Sequence, residues 1–246
     1  MMSNQDIAQT YFSVSRNSFY SLVLIFPMLI LYELLGFINN FETNYQIRNG
    51  ADAMIRQVFS IFGPNSQLLY GLTLFLIFCS VGYRYREVLL MGEINIRFLV
   101  LMIIESFVWC VGLLITMKGI NILFLANPIT SDLLEQFYLS VGAGIWEELI
   151  FRLGLISIFT YIISTVFGYG KFFSLILSLF FSGAIFSLFH YVGIYGDIFT
   201  WQTFILRTFA GIFLGAVFLF RGFGISVYTH ILYDMVLVSI PVFGLT

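Results

Sequence analysis

The chain has 246 residues, of which 60% are hydrophobic and 10% charged, and its formal net charge is −2. Soluble domains carry about 25% charged residues, so this composition excludes an ordinary soluble domain and predicts an integral membrane protein. The near balance of charge leaves no basic surface for nucleic acid. Cys79 and Cys110 both fall in apolar stretches, which indicates buried free thiols rather than a disulfide.

Apolar stretches follow one another along most of the chain. A membrane-spanning helix needs about 20 predominantly apolar residues. By this criterion the sequence predicts an all-α, polytopic bundle of about eight spans: Ser18–Ile38, Gln67–Tyr83, Phe98–Met117, Asp132–Arg152, Leu153–Phe167, Phe172–Val192, Gln202–Phe220 and Ile225–Val242. Residues 1–17 form a polar N-terminal segment, and residues 18–246 form a single integral membrane domain.

The polar connections suggest an orientation. The connection after the first span is expected to contain an interfacial helix. The loop with Arg84, Arg86 and Arg97 is the densest basic loop, which favours a cytoplasmic position. With eight spans, both termini are then cytoplasmic, in a plasma membrane of the bacterial type.

Three charges occur within six residues of the fourth predicted span, in a chain where charge is scarce: Glu147, Glu148 and Arg152. An ionisable group in hydrocarbon costs at least about 2.5 kcal/mol and by default marks a functional site. Glu148 and Arg152 stand four residues apart and can pair on one helix face. Glu147 lies about 100° further round the helix. We therefore expect one neutralised, structural carboxylate and one that is available for chemistry.

The two histidines of the chain, His190 and His230, both lie in apolar helices, and Asp234 follows His230 by four residues. A single histidine in such a helix is more often a packing residue than a catalyst. However, polar groups in membrane helices face the bundle interior rather than lipid. The two histidines, Asp234 and the glutamate pair are therefore expected to converge on one cavity.

Two hydrolytic chemistries suit this set of side chains. In one, a carboxylate and a histidine activate water, while the other histidine and Asp234 stabilise or orient an oxyanion, with no cofactor. In the other, Glu147, His190, His230 and Asp234 hold Zn²⁺ or another divalent metal that acidifies a bound water. A non-hydrolytic transporter or ion relay is the alternative from another class. The absence of two related halves with broken helices argues against a transporter.

The same residues resemble a known family. The charged and histidine-bearing stretches are similar, in order, to the three motifs of the CPBP (CAAX-processing and bacteriocin-processing, or Abi) intramembrane proteases: Glu147-Glu148-x-x-x-Arg152, Phe186-x-x-x-His190 and His230-x-x-x-Asp234. The resemblance covers about residues 130–242. It implies an endopeptidase that acts within the bilayer on a membrane-associated protein or peptide, such as a CAAX-type tail, a leader peptide or a C-terminal sorting tail.

The resemblance also implies residue roles. Glu147 would activate water with the help of His190, and His230 with Asp234 would bind the oxyanion. Glu148 belongs to the same catalytic set. The family's third motif often ends in Asn, and an Asp at position 234 cannot donate from an amide. Asp234 must therefore be protonated, orient His230 or bind a metal.

Arg152 is a supporting residue under the same resemblance. The family is commonly labelled as metalloprotease, whereas its eukaryotic-type members are understood as glutamate-dependent and metal-free. Both mechanisms therefore stay open at the level of sequence.

Other polar residues in the spans have structural alternatives. Glu33 is expected to reach the interface, whereas Glu105 either lines the cavity or bonds to a neighbouring helix. For Arg207 the sequence leaves three alternatives: it pairs with an acid, it binds a carboxylate of the substrate, or its side chain extends to the membrane interface. Small residues at spacings typical of close helix packing precede the glutamates and recur in the seventh span: Gly142, Gly144, Gly211 and Gly215.

Overall fold

Helices account for nearly all of the residues that the structure describes. A computed structural model describes residues 11–42, 47–87, 94–118, 133–193 and 196–242, and within these ranges it contains helices and no strand, which confirms the all-α prediction. The helices are, in order, α1 (Ser18–Glu42), α2 (Gly50–Ser60), α3 (Ser66–Arg84), α4 (Ile96–Lys118), α5 (Leu133–Val166), α6 (Lys171–Phe189), α7 (Trp201–Arg221) and α8 (Phe223–Val242).

Six helices in the described ranges are long and apolar enough to cross a membrane: α1, α3, α4, α5, α6 and α7. The apolar part of α8, Phe223–Ser239, is shorter. These segments make the protein an integral membrane protein, and their number is close to the predicted eight. The connection that was predicted to contain an interfacial helix contains α2. The predicted start of the fourth span at Asp132 lies outside the described residues.

Two of the predicted spans, Asp132–Arg152 and Leu153–Phe167, are in fact one continuous helix, α5. No turn separates Arg152 from Leu153, because the backbone is π-helical from Ala143 to Ile156 and helical again beyond it. A π-helix has i→i+5 hydrogen bonds, is rare, and is found mostly at functional sites. Its occurrence here coincides with the predicted charge cluster.

Two glycines of α5 allow neighbouring elements to approach the charge cluster closely. A Cβ on Gly144 would lie 2.3 Å from Cγ1 of Ile231 and 2.9 Å from the carbonyl oxygen of Val227, both in α8. A Cβ on Gly142 would lie 2.5 Å from the Tyr32 ring and 2.9 Å from Cβ of Asn49. The predicted close packing at these glycines is confirmed, and it brings α8 and the segment before α2 against α5.

Close packing is also confirmed between α6 and α7. A Cβ on Gly211 would lie 3.0 Å from Cα of Gly183, and one on Gly215 would lie 2.4 Å from the Leu179 side chain. Ser187 of α6 donates to the carbonyl oxygen of Phe204 in α7 at 2.7 Å. These contacts fix the end of α6, where His190 follows.

A buried polar cluster joins α1, α2 and α3. Asp52 is fully buried and accepts hydrogen bonds from Tyr32 Oη, Tyr70 Oη and Arg56 Nε at 2.9, 2.8 and 2.8 Å. Glu33 binds Arg48 at 3.0 Å and Arg56 at 2.8 Å. Glu33 is therefore paired with α2 and the residues before it. This cluster holds residues 47–49 in place at the start of α2.

Glu105 bonds to neighbouring elements, which was one of its two predicted alternatives. It pairs with Arg221 at the end of α7 and accepts from Tyr11 Oη at 2.5 Å and Trp109 Nε1 at 3.1 Å.

The two cysteines are free, but only Cys110 is buried, so the prediction of two buried thiols is wrong for Cys79. The reason is that α3, which carries Cys79, lies at the edge of the bundle, where nearly all of its side chains face outward.

Candidate active site

His230 of α8 lies between the two glutamates of α5. Its Nδ1 is 2.9 Å from Oε1 of Glu148, while its Nε2 is 4.0 Å from Oε2 of Glu147 and 3.5 Å from Oδ2 of Asp234. The imidazole is buried. Since an ionised carboxylate only accepts hydrogen bonds, Nδ1 carries a proton that it donates to Glu148. The other nitrogen faces the remaining two carboxylates.

Glu148 is fully buried and is the most completely satisfied of the three acids. Ser226 Oγ donates to its Oε2 at 2.5 Å, and Arg152 Nε lies 3.3 Å from its Oε1. The pairing of Glu148 with Arg152 agrees with the i,i+4 spacing. With His230 Nδ1 as a further partner, Glu148 has no oxygen left for a substrate, which suits it to holding the imidazole.

Arg152 is buried together with Glu148. Its guanidinium lies 4.4 Å from the centre of the Phe186 ring, and its Nη2 donates to the carbonyl oxygen of Gly211 at 3.4 Å. The guanidinium thus contacts Phe186 of α6 and Gly211 of α7 as well as Glu148 of its own helix, α5. A buried charge with these contacts ties α5 to both neighbours and depends on the Glu148 carboxylate for neutralisation.

Glu147 is held differently. Its Oε1 accepts a hydrogen bond from Nδ2 of Asn49 at 3.0 Å, and its Oε2 faces His230. Asn49 is fixed in turn, because its Oδ1 accepts from the backbone N–H of Ala51 at the start of α2 and its own N–H donates to Tyr32 Oη. One oxygen of Glu147 is therefore held by the Asn49 amide, while the other lies between α5 and α8, on the side of His230.

Sequence reasoning missed Asn49 and Ser226. Asn49 is 98 positions from Glu147 along the chain. An asparagine before a helix indicates an N-cap, and the structure has this cap, but nothing in the spacing connects it to the glutamates. Ser226 precedes His230 by one helical turn in α8, and that spacing was the only available signal.

His190 lies directly after α6. Its Nδ1 is 2.9 Å from the carbonyl oxygen of Phe186, which can only accept, so Nδ1 carries the proton and Nε2 has a free lone pair. The Phe186 ring contacts both imidazoles, with centroid distances of 4.9 Å to His190 and 5.9 Å to His230. His190 is close enough to Glu147 for their charges to interact. The structure thus brings both histidines and both glutamates to one site.

Adjacent residues on a helix do not face each other, and the side chains of Glu147 and Glu148 do diverge. They nevertheless reach the two nitrogens of one imidazole, because His230 inserts between them from α8. His190 and Asp234 are partly exposed and form the accessible side of the site; 25% of the Asp234 side chain is exposed.

The four predicted metal ligands do not form a coordination set in this arrangement. Within the described part of the chain, no three His, Cys, Asp or Glu side chains are grouped so that they could hold a metal ion. The distance of 4.0 Å between Glu147 and His230 is longer than a hydrogen bond, and Nδ1 of each histidine faces a protein oxygen, which leaves both Nε2 atoms without a hydrogen bond to the described residues.

Comparison with known proteins supports the resemblance. Residues 128–236 match the family described as type II CAAX prenyl endopeptidase Rce1-like. Over these residues the chain is similar to the Rce1-like family. The predicted resemblance to the CPBP proteases is thereby confirmed. The Rce1-like region contains every predicted site residue from Glu147 to Asp234, whereas Asn49 lies outside it. No curated protein and no solved structure matches the chain.

Proposed function

We propose that the protein is an intramembrane endopeptidase that hydrolyses a peptide bond of a membrane-associated substrate, with water activated by Glu147 and His190. A CAAX-type tail is the first substrate to test, and leader peptides and C-terminal sorting tails are the alternatives. The observation that carries the proposal is the position of His230 between Glu147 and Glu148, inside the Rce1-like region.

The first step is attack by water. One oxygen of Glu147 is held by Asn49, so the other is free to take a proton from a water molecule. The lone pair on Nε2 of His190 accepts a hydrogen bond from the same water and orients it. The water oxygen forms a bond to the carbonyl carbon of the substrate, and the electron pair of the C=O double bond moves to the carbonyl oxygen.

The second step is stabilisation of that oxyanion. His230 donates to Glu148 through Nδ1. When the imidazole is protonated, its Nε2 also carries a proton, which lies on the side of Glu147 and Asp234 and can be donated to the developing oxyanion. Asp234, 3.5 Å from Nε2, keeps the ring oriented in the absence of substrate. The fully paired Glu148 fixes the imidazole, so little reorganisation is needed in the transition state.

The third step is collapse of the intermediate. The carbon–nitrogen bond breaks, and the leaving nitrogen takes the proton that Glu147 accepted from water. The products are a new carboxyl group and a new amine, and Glu147 returns to its ionised form. One water molecule is consumed in each cycle, and no side chain forms a covalent bond to the substrate.

A peptidase assay with chelation tests this chemistry. In proteoliposomes, the purified protein is expected to cut one internal bond of a farnesylated peptide that ends in a CAAX sequence. The rate should persist after dialysis against a strong chelator, because Glu147 supplies the base. A rate that is lost with the chelator and restored by zinc would favour the metal alternative. Failure to cut any membrane peptide would contradict the protease and favour the transporter or relay.

Asn49 provides a second test, which concerns the position of Glu147. Asn49→Ser retains an oxygen that can cap α2 but is too short to reach Glu147. Loss of a hydrogen bond to a charged group is worth about 1.5–3 kcal/mol, so we expect kcat to fall about ten- to hundredfold with little change in KM.

The matched control is Asn65→Ser, at the start of α3, where the side chain makes no cap hydrogen bond. This variant should behave as the unaltered protein does. A kcat unchanged in Asn49→Ser would show that the amide does not position Glu147.

A further inference from the structure

Several buried hydrogen-bond donors of the described residues lack a partner, among them atoms of Trp146 and Arg152 in α5, and two of them belong to helices α7 and α8. They are Nη1 of Arg207 in α7 and Oη of Tyr233 in α8, and neither has a hydrogen-bond partner among the described residues. Arg207 is 8% exposed and Tyr233 is 5% exposed. Since buried polar groups in proteins are nearly always bonded, two unpaired donors in one region need an explanation.

Several contacts connect Arg207 to the site. Its Nη2 pairs with Asp197, and the backbone N–H of Asp197 donates to the carbonyl oxygen of His190 at 2.9 Å. The charge of Arg207 acts on His190, Tyr233 and Asp234. The guanidinium is therefore joined to the His190 backbone through Asp197 and is close enough to His190 and Asp234 for their charges to interact. Its pairing with Asp197 uses one of its two terminal nitrogens.

The donor pair suits a carboxylate. A guanidinium presents planar N–H groups that match the two oxygens of a carboxylate, and a phenol can donate one further hydrogen bond. Asp197 need not be displaced, because Nη1 is the unpaired nitrogen. The nearby acids Asp234 and Glu147 disfavour a freely diffusing anion, so binding requires that the carboxylate be delivered by a group already held in the site.

We propose that Arg207, assisted by Tyr233, binds the C-terminal carboxylate of the substrate. This inference rests on the proposed function and narrows it. An extended chain advances about 3.3–3.6 Å per residue, so a carboxylate beside His190 and Asp234 follows the cut bond by only a few residues. The substrates are then C-terminal tails, as in the CAAX class, and not leader peptides cut far from a free end.

The competing explanation is that Arg207 only anchors the segment after His190 through Asp197. Both explanations predict that Arg207→Gln loses activity, so loss alone does not distinguish them. They differ in whether the loss depends on the end group of the substrate, because an anchor acts equally on every substrate.

The experiment uses two farnesylated CAAX peptides that are identical except that one ends in a free carboxylate and the other in an amide. In the unaltered protein, kcat/KM should be about ten- to hundredfold higher for the acid, as expected for a hydrogen bond to a charged group. Arg207→Gln should bring this ratio close to one, and Tyr233→Phe should reduce it less. Arg16→Gln and Tyr161→Phe, at exposed positions, are the controls that should keep the ratio.

Each other outcome has a definite meaning. Equal cleavage of acid and amide by the unaltered protein overturns the carboxylate site but leaves the protease intact, whereas cleavage of neither peptide overturns the protease itself. An equal loss on both peptides in Arg207→Gln assigns the anchoring role and overturns the inference. A lipid phosphate bound at Arg207 would make the effect depend on anionic lipid in the vesicles and not on the peptide's end group, which also overturns it.

Discussion

Glu147→Gln is expected to lower kcat for peptide cleavage by about 10²–10⁴-fold, the usual contribution of a positioned general base, while the protein remains folded. The amide keeps the size of the side chain but cannot take a proton from water. The rate is measured with purified protein in proteoliposomes, and folding is measured by the temperature of unfolding in detergent.

The control for this variant is Glu135→Gln, an acid in the first turn of α5, about three helical turns before Glu147. It should cleave at the normal rate. His190→Ala should resemble Glu147→Gln, since both variants remove a partner of the attacking water. A Glu147→Gln or His190→Ala protein with full activity would exclude the proposed water-activating pair.

Glu148→Gln is expected to have its largest effect on stability. Its carboxylate neutralises Arg152, and both side chains are almost completely buried. Removing one partner of a buried ion pair typically costs about 3–5 kcal/mol, because an uncompensated charge stays behind. Activity should fall as well, since His230 loses the acceptor for Nδ1. The measurement is the free energy of unfolding in detergent, or the yield of folded protein where unfolding is irreversible.

A double variant separates charge imbalance from a general loss of packing. Replacing a buried pair by uncharged residues of similar size is often neutral, so Glu148→Gln combined with Arg152→Met should be more stable than Glu148→Gln alone. If the single variant is as stable as the unaltered protein, Arg152 does not depend on Glu148 and must be neutralised elsewhere.

The sequence predicts the parts of the site that consist of charged or polar side chains in otherwise apolar helices, because such residues are rare in this chain. Glu148 and Arg152 are four residues apart in a span, and a buried cation there has few partners available. His190 and His230 are far apart along the chain, yet each is a polar group in an apolar helix. Such groups turn inward, and in a bundle of this size they meet. The all-α class follows from the apolar composition, because a helix satisfies its own backbone hydrogen bonds within the bilayer.

Other features depend on packing that a single sequence does not encode locally. Asn49 lies in a polar connection, where an asparagine is ordinary, and its bond to Glu147 exists only because Gly142 lets the two segments touch. The π-helical backbone of α5 changes the hydrogen-bond register without an unusual residue to signal it. The same continuity explains why Arg152 and Leu153 belong to one helix and not to two spans.

In the proposed mechanism, the insertion of His230 between the two glutamates sets a limit on when proteolysis can begin during biosynthesis. As the ribosome threads the chain into the bilayer, both acids and His190 are in place before α8 has been translated. Until α8 docks at Gly144, where there is no room for even a methyl group, the nascent protein lacks the imidazole that receives the oxyanion. Under the proposed mechanism, a chain whose α8 has not yet packed therefore has no complete hydrolytic site, and cleavage starts only after α8 has packed against α5.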